Sequence, residues 1–243
     1  MDLQPIGVIR TCFAEKFGVP RQARMVAQAR GTIHISAPFS HPDTVLGLEQ
    51  FSHLWVVFLF HKAQTSFHPE DWRPTVQPPG KGAPERVGVF ASRSPHRPNP
   101  IGMSAVKLES IHRNEASNEL EIEVSGVDIL DGSPVLDIKP YVPYADIIPE
   151  ANNGWATEEI ASYAVRFSPQ AEAAVAHDPV AKNLITEVMR LDPRPRSQRD
   201  AVPLENPENI GKKFAFRFLR FDLHWVIAAD ATIHLVDVIH LAE

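Results

Sequence analysis

The chain has 243 residues, 44% of them apolar and 22% charged, with a formal net charge of −6, and these values exclude a globally disordered protein. Its single cysteine excludes an internal disulfide framework and a cysteine-rich zinc site. The longest apolar run, residues 54–60, is far shorter than the roughly 20 residues of a membrane helix, and the first residues lack the pattern of a secretory signal. We therefore expect a soluble, cytoplasmic protein of one large domain, or of one domain plus a small one.

Short β-prone segments separated by turn residues dominate the first two thirds of the chain. Over residues 120–124, apolar and acidic residues alternate, which predicts a strand with one buried face and one wet face. Because no helical period lies between the segments, the pattern favours an antiparallel sheet that closes or sandwiches within a domain of residues 1–150. The predicted strands are 5–11, 31–37, 53–60, 86–92, 103–111, 119–127 and 133–139.

Helical signals begin after about residue 165. Ser168 and Asp178 are each followed by a proline, which is the pattern of an N-cap and a first helical residue, and the second helix is predicted to end at Asp192. The long polar loop 194–211 is of a kind that often carries function. We expect a small α+β domain over residues 151–243, with further strands at 214–219, 223–228 and 232–239.

The sequence lacks the common cofactor fingerprints. No G-x-G-x-x-G follows a strand and no G-x-x-x-x-G-K-[ST] is present, so a standard dinucleotide or nucleoside triphosphate site is not expected. There is no H-E-x-x-H, and on one regular strand His53 and His61 would lie roughly 26 Å apart, too far to share an ion. We therefore expect no metal.

Two segments carry an excess of positive charge within an acidic chain: residues 73–97 and residues 190–220. This distribution is typical of a protein that contacts a polyanion at one place. Solvated loops that bind nothing are the alternative, because clustering in sequence does not guarantee clustering in space.

The densest pattern is Arg93-Ser94-Pro95-His96-Arg97-Pro98-Asn99-Pro100, in which three prolines fix an extended path for two arginines. A rigid loop loses little entropy when it binds an anion, and arginine presents a planar fork to carboxylate or phosphate. The alternative is a plain connection between two strands.

A second pattern, over residues 128–141, places three aspartates beside apolar residues and a strong Asp131-Gly132 turn. A carboxylate here could pair with a cationic ligand or with ribose hydroxyls, or it could hold the arginines of the proline-rich loop. A simple turn is the remaining alternative.

These segments together resemble the TsaA-like family. The motifs that carry the resemblance are P-R-Q at 20–22, F-S-H-L-W at 51–55, W-R-P at 72–74, G-V-F-A-S-R-S-P-H-R-P-N-P-I-G at 88–102, D-G-S-P-V-L-D-I-K-P-Y at 131–141 and D-P-R-P at 192–195. The last motif is similar to the tail of the family's bacterial tRNA methyltransferases, and the resemblance extends over most of the chain.

The resemblance implies a mainly β fold, with a single antiparallel β-barrel methyltransferase domain and a small α+β C-terminal domain. It implies an S-adenosylmethionine-dependent enzyme that methylates the exocyclic N6 of threonylcarbamoyladenosine at position 37 of tRNA, beside the anticodon. It also implies a homodimer with the cofactor pocket near the subunit interface. Because this cofactor has no pyrophosphate, the missing glycine-rich fingerprint agrees with it.

Matching the family's motifs residue by residue gives the expected sites. Asp128 or Asp131 could balance the positive sulfonium, while Arg21 or Arg93 could meet the cofactor carboxylate. Ser133 stands where threonine is common, and Lys62 departs from the usual glutamine. The expected cofactor residues are Pro20, Arg21, Gln22, His61, Lys62, Arg93, Met103, Asp128, Ile129, Leu130 and Asp131.

A base would help a weakly nucleophilic amine, and the candidates for this catalytic role are Asp137, His61 and Tyr141. The residues expected to contact tRNA are Arg73, Arg97, Arg194, Arg196, Lys212 and Lys213. Two other functions stay open at this point: a non-catalytic RNA-binding or ligand-sensing module, and a methyltransferase that acts on another substrate.

Overall fold

The computed structural model describes residues 3–63, 73–78, 84–116, 119–156, 161–194, 198 and 204–241. The chain divides into two compact units. The first comprises residues 1–11 and 22–159, and the second comprises residues 12–21 and 160–243. None of the helices in the described ranges is long and apolar enough to cross a membrane.

Six antiparallel strands of the first unit close into a barrel in the order β1-β2-β7-β6-β3-β8, with β8 pairing back onto β1. The predicted single antiparallel barrel is therefore confirmed. The strands are β1 (Gly7–Thr11), β2 (Arg30–Ile35), β3 (His53–Leu59), β6 (Ile101–Arg113), β7 (Leu120–Ser125) and β8 (Ser133–Pro140).

Alternating burial along each strand builds the barrel interior. In β3 the side chains alternate between partly exposed and buried positions, and β7 shows the same period of two that its sequence predicted. Most of the inward residues are aliphatic or aromatic, which suits a strand surface packed on one side. Those at most 3% exposed include Ile9, Ile33, Leu54, Val56, Phe58, Val106, Ile122, Val124 and Val135.

One end of the barrel gathers the segments that the motifs singled out. Here β3 ends at Leu59, which pairs with Ile101 at the start of β6. Ser133 at the start of β8 pairs with Ile9 of β1. We call this the loop end, because the connections from β3 to β6 and from β7 to β8 both leave the barrel there.

The predicted strand 86–92 is much shorter than expected. Only Val87–Gly88 (β5) is extended, and it pairs with Thr75–Val76 (β4) in a small hairpin. The chain then forms a 3-10 turn over Val89–Ala91, in which Val89 is buried and the Ser92 hydroxyl donates to its carbonyl. The prediction was wrong because the β-prone residues after Gly88 form a turn that buries Val89, rather than a longer strand. A single-turn helix, α1 (Pro143–Asp146), follows the barrel.

The second unit is a four-stranded sheet with two helices, which confirms the α+β prediction. The sheet order is β10-β11-β12-β9, and β9 pairs in parallel with β12. Ser168 and Asp178 cap the two helices through Ala171 N and Ala181 N, as the sequence predicted. The elements are β9 (Val165–Phe167), α2 (Pro169–Val175), α3 (Pro179–Met189), β10 (Lys213–Phe218), β11 (Phe221–Ile227) and β12 (Ile233–His240).

The connection between β1 and β2 belongs in part to this second unit. Phe13 is 1% exposed and its ring lies 5.7 Å from that of Phe218 on β10. Gly18 has a φ of 77°, and a Cβ at this position would lie 2.8 Å from the Phe216 ring, so glycine is required there. Residues 12–21 thus contribute to the core of the second unit, although they lie within the sequence of the predicted barrel domain.

Candidate functional site

The turn between β7 and β8 places a carboxylate over a hydroxyl at the loop end. Ser104 is 4% exposed, and its hydroxyl donates to Asp128 Oδ1 at 2.5 Å. A backbone hydrogen bond from Ala23 also reaches Asp128. Burial raises the pKa of Asp128 above its ordinary value, although the Ser104 hydrogen bond and the positive charge of Arg93 act to lower it. Asp128 therefore carries a partly desolvated charge beside a cation.

The proline-rich loop supplies that cation. Arg93 is exposed, and its guanidinium donates to Gln22 Oε1 at 2.5 Å. Arg97 donates to the Ser92 carbonyl at 3.1 Å, which holds the loop against the preceding turn. The structure thus brings Gln22, Arg93 and Asp128 together, as the motifs predicted.

Asp131 has a different environment from Asp128. Its carboxylate accepts a hydrogen bond from the Thr11 amide at 2.8 Å and lies 3.4 Å from Arg10 Nη1. These contacts tie the turn to the end of β1. Of the two aspartates expected to balance a cationic ligand, Asp128 is the better candidate, because the Asp131 carboxylate is already hydrogen-bonded to the end of β1.

The two residues between these aspartates contribute through their backbone. The Ile129 side chain is fully buried, and its carbonyl accepts the Thr11 hydroxyl at 2.9 Å. The Leu130 carbonyl accepts the Ser133 hydroxyl at 2.7 Å. Any ligand contact by Ile129 must therefore use main-chain atoms.

His61 lies at the loop end, two residues beyond β3. Its Nδ1 is 3.2 Å from the Ser133 hydroxyl, and Ser133 is 1% exposed. The amide of Phe60 donates to the Pro100 carbonyl, which brings the end of the proline-rich loop beside His61. Lys62 is exposed at the same turn.

Met103 lies on the other face of β6 from the buried Ser104. Its side chain is 61% exposed and points outward from the barrel, since neighbouring residues of a strand alternate. The structure therefore separates the Met103 side chain from the Asp128 contacts, although both residues were expected to bind the cofactor.

The three candidate bases do not converge. Tyr141 lies at the end of the barrel opposite the loop end, where its amide donates to the His53 carbonyl and its ring packs 5.4 Å from that of Trp55. Asp137 lies along β8 and pairs with Lys139 at 2.9 Å. Only His61 lies at the loop end, and the structure favours a packing role for Tyr141.

Pro20 and Arg21 fall in the second unit, whereas Gln22 falls in the first. Pro20 is buried and Arg21 is partly buried. Their cofactor role remains a prediction from the motif.

The predicted tRNA contacts divide by exposure. Arg73, Lys212 and Lys213 are exposed, and Arg97 is half-buried. Arg194 is not a surface residue: its side chain is 1% exposed and its guanidinium binds both oxygens of Asp192, at 2.9 and 2.7 Å. We therefore withdraw Arg194 from the predicted tRNA surface, since its charge is buried and neutralised. Arg196 lies outside the described residues.

Sequence reasoning missed Ser104 as a site residue. The signal was available in the period of β6, because Ser104 occupies an inward position where an apolar residue is usual. A buried hydroxyl requires a partner, and here the partner is Asp128.

A cluster on the barrel wall has ligands of the kind that bind metals. Within the described ranges, atoms of His34, Glu119 and Glu121 lie within 4.8 Å of one another. His34 Nδ1 lies 3.5 Å from a carboxylate oxygen of Glu121 and 3.8 Å from one of Glu119. The expectation of no metal remains a prediction.

Comparison with known proteins identifies both parts of the chain. The tRNA-methyltransferase O N-terminal domain matches residues 8–147, and the TrmO C-terminal domain matches residues 160–241. A tRNA (adenine(37)-N6)-methyltransferase from Escherichia coli is 40% identical over 229 residues, which span 92% of each chain. A Pyrococcus abyssi protein named for S-adenosyl-L-methionine binding is 36% identical over 65% of this chain and 77% of its own length.

Among solved structures, TrmO from Pseudomonas aeruginosa superposes with a TM-score of 0.75 at 37% identity, covering 98% of both chains. The matched family domains, the E. coli relative and this superposition each span most of the chain or of one of its units. The chain belongs to the tRNA-methyltransferase O family.

Proposed function

We propose that this protein is an S-adenosylmethionine-dependent methyltransferase that acts on N6 of adenine 37 in tRNA carrying the threonylcarbamoyl group. The observation that carries the proposal is the partly desolvated Asp128 carboxylate, held by Ser104 at the loop end of the barrel beside Arg93. The E. coli relative is named for methylation of adenine 37, and the charges of this cluster suit the cofactor of that reaction.

The charges at the loop end fit those of the cofactor. S-adenosylmethionine has a positive sulfonium and ammonium and a negative carboxylate, and it supplies an electrophilic methyl group. Asp128 presents a negative charge to the cationic part, and Arg93 presents a fork to the carboxylate. Gln22 holds the Arg93 guanidinium at 2.5 Å, so that less side-chain freedom is lost on binding.

Orientation accounts for most of the rate enhancement in this proposal. Holding an amine in line with a methyl donor can contribute on the order of 7–11 kcal/mol. The rigid proline-rich loop and the hydrogen-bonded turn before β8 provide fixed positions for the two reactants.

We propose further that substrate phosphates bind cations of each unit separately: Arg73 and Arg97 in the first unit, and Lys212 and Lys213 in the second. A homodimer in the cytoplasm is part of the same proposal, supported by the resemblance to the family. Sedimentation of the purified protein would measure the assembly state.

The test combines cofactor binding with methyl transfer. Calorimetry should detect binding of S-adenosylmethionine, and a labelled methyl group should pass only to tRNA that carries the threonylcarbamoyl group. Binding without transfer to either tRNA would contradict the substrate. The absence of binding to the folded protein would contradict the cofactor and favour a non-catalytic RNA-binding module.

A further inference from the structure

Phe90 is an aromatic residue that the first unit holds in solvent. Its side chain is 77% exposed, whereas its neighbour Val89 is 2% exposed. Both residues belong to the 3-10 turn that precedes the proline-rich loop. Single exposed apolar side chains are common on protein surfaces. This one differs from them in two respects, which are the fixed backbone beneath it and the charge around it.

Hydrogen bonds on both sides of the ring fix the turn that carries it. The Val89 amide donates to the Pro74 carbonyl at 2.9 Å, and the Ser92 hydroxyl donates to the Val89 carbonyl at 2.9 Å. The indole Nε1 of Trp155, 64 residues away in sequence, donates to the Ala91 carbonyl at 2.9 Å. The ring therefore projects from a preset backbone with only two side-chain torsions, so little entropy is lost when a flat partner covers it.

The charge around the ring is entirely positive along the chain. Residues 86–97 contain Arg86, Arg93 and Arg97 and no acidic residue. Arg86 is exposed and donates to Thr75 Oγ1 at 2.8 Å, which ties it to the hairpin before the turn. An aromatic platform among cations is the combination with which proteins bind single-stranded nucleic acid, since bases stack on the ring while cations meet the phosphates.

The proposed reaction creates a base that needs such a platform. For N6 of the target adenine to reach a methyl donor, that adenine has to leave the stack of its loop, and the adjacent base loses a stacking partner. Unstacked bases of RNA loops are commonly bound on aromatic side chains. A small cofactor is instead enclosed in a cavity that covers about 70–90% of its surface. A ring that is 77% exposed fits a base of a large partner better than the adenine of the cofactor.

We propose that Phe90 is a tRNA-binding residue on which an unpaired base next to the target adenine stacks. This inference rests on the proposed function and deepens it, because it names a contact to a base rather than to a phosphate. The contact carries no charge, so its effect on binding should differ in kind from the effect of a cation.

The first test detects the stacking itself. Phe90→Trp places an indole on the turn, and an indole that stacks on a base loses fluorescence. The chain has four other tryptophans, so the wild-type signal is subtracted. An RNA hairpin with the sequence of an anticodon stem and loop should quench the added fluorescence, whereas a fully paired RNA duplex of the same length should not. An unquenched indole in a variant that has bound the hairpin would overturn the proposal.

The second test measures tRNA affinity over a range of salt concentrations. Phe90→Ala should weaken binding roughly 5- to 150-fold, the range expected for one stacked base. The slope of log K against log salt should stay the same, because no phosphate contact is lost. Phe90→Tyr should keep the affinity, and Phe90→Leu should behave like the alanine variant, since leucine is apolar but cannot stack. Tyr144→Ala is the matched control, because Tyr144 is 93% exposed on α1, outside the arginine-containing segment.

The outcomes separate this role from the proposed function. If Phe90→Ala keeps full affinity for tRNA, or Phe90→Leu does, stacking on this ring is wrong and the function stands. If Phe90→Ala instead weakens binding of S-adenosylmethionine alone, the ring contacts the cofactor and the proposal is wrong. A variant that sediments as a smaller species than wild type would place the ring in a subunit contact, which also contradicts it. A folded wild-type protein that transfers no methyl group to tRNA would remove the function and this role with it.

Discussion

Asp128, which we propose to bind the cofactor, also carries a cost in stability. Since burial raises its pKa in the folded state, the native protein holds this proton to a higher pH than the unfolded chain does. The contribution of Asp128 to the free energy of unfolding therefore falls as the pH rises from the ordinary carboxyl pKa through the raised one. Above that window the charged form destabilises the turn.

Asp128→Asn tests both effects. The variant should be at least as stable as wild type at neutral pH, yet bind S-adenosylmethionine roughly 10- to 100-fold more weakly, because a hydrogen bond to a charged group contributes about 1.5–3 kcal/mol. Thermal melts and calorimetry measure the two quantities. Asp43→Asn is the control, since its carboxylate is 80% exposed. An unchanged Kd would exclude Asp128 from the cofactor site.

Arg194 is expected to act on stability rather than on RNA. Arg194→Ala would remove the guanidinium that binds both oxygens of the buried Asp192 carboxylate. Breaking a buried ion pair typically costs about 3–5 kcal/mol, so the melting temperature should fall. The double variant Asp192→Asn/Arg194→Met should recover part of this loss. If Arg194→Ala instead melts like wild type but binds tRNA less well, the surface role would be restored.

The sequence presents Arg93 as a cation on a rigid loop and Asp128 as a carboxylate beside a turn, and it indicates His61 through the family's motifs; the roles of all three stay predictions. It could not separate Asp128 from Asp131. The difference depends on Thr11, which lies 120 residues away in sequence, and on a hydroxyl inside the barrel. Partners at such distance are set by strand register, which the sequence does not display directly.

At the scale of elements, strand β7 could be predicted because its apolar and acidic residues alternate, and strands β1, β3 and β8 because each is a short β-prone segment bounded by turn residues. The hairpin β4–β5 is short, and β9 was not predicted at all. β9 has only three residues and pairs in parallel with β12, so its stability comes from the sheet it joins rather than from its own pattern.

Two lysines at the start of β10 allow a test of RNA binding. Lys212 and Lys213 are both exposed, and replacing them with alanine should weaken tRNA binding and reduce the salt dependence of log K by about one to two, since each phosphate contact contributes a slope near 0.9. Filter binding over a range of salt concentrations measures this slope. Lys182→Ala on α3 is the control, because Lys182 pairs with Glu172. Equal slopes in the wild type and the double variant would exclude these lysines.

At the scale of the whole molecule, the chain passes from the first unit into the second and back again between β1 and β2, which the sequence did not indicate. The segment 12–21 leaves β1, contributes Phe13 to the second unit, and is followed by the rest of the connection to β2. A domain boundary read from composition cannot show such an exchange, because the signal is a single buried ring within a loop.

Phe13→Ala should therefore destabilise the second unit by about 3–5 kcal/mol, as is typical when a buried phenylalanine is truncated. Hydrogen exchange should become faster in β10 and β11 and stay unchanged in β3 and β6. Phe17→Ala, in the same segment but with Phe17 39% exposed, should have little effect. Faster exchange confined to the barrel would contradict the assignment of this segment.

The measurement that most directly tests the central claim is nucleoside analysis by mass spectrometry of tRNA incubated with the protein and S-adenosylmethionine. We expect one added methyl group, on N6 of the threonylcarbamoyl-modified adenosine at position 37, and none in unmodified tRNA. A methyl group at another nucleotide, or no methylation by a folded protein that binds the cofactor, would contradict it.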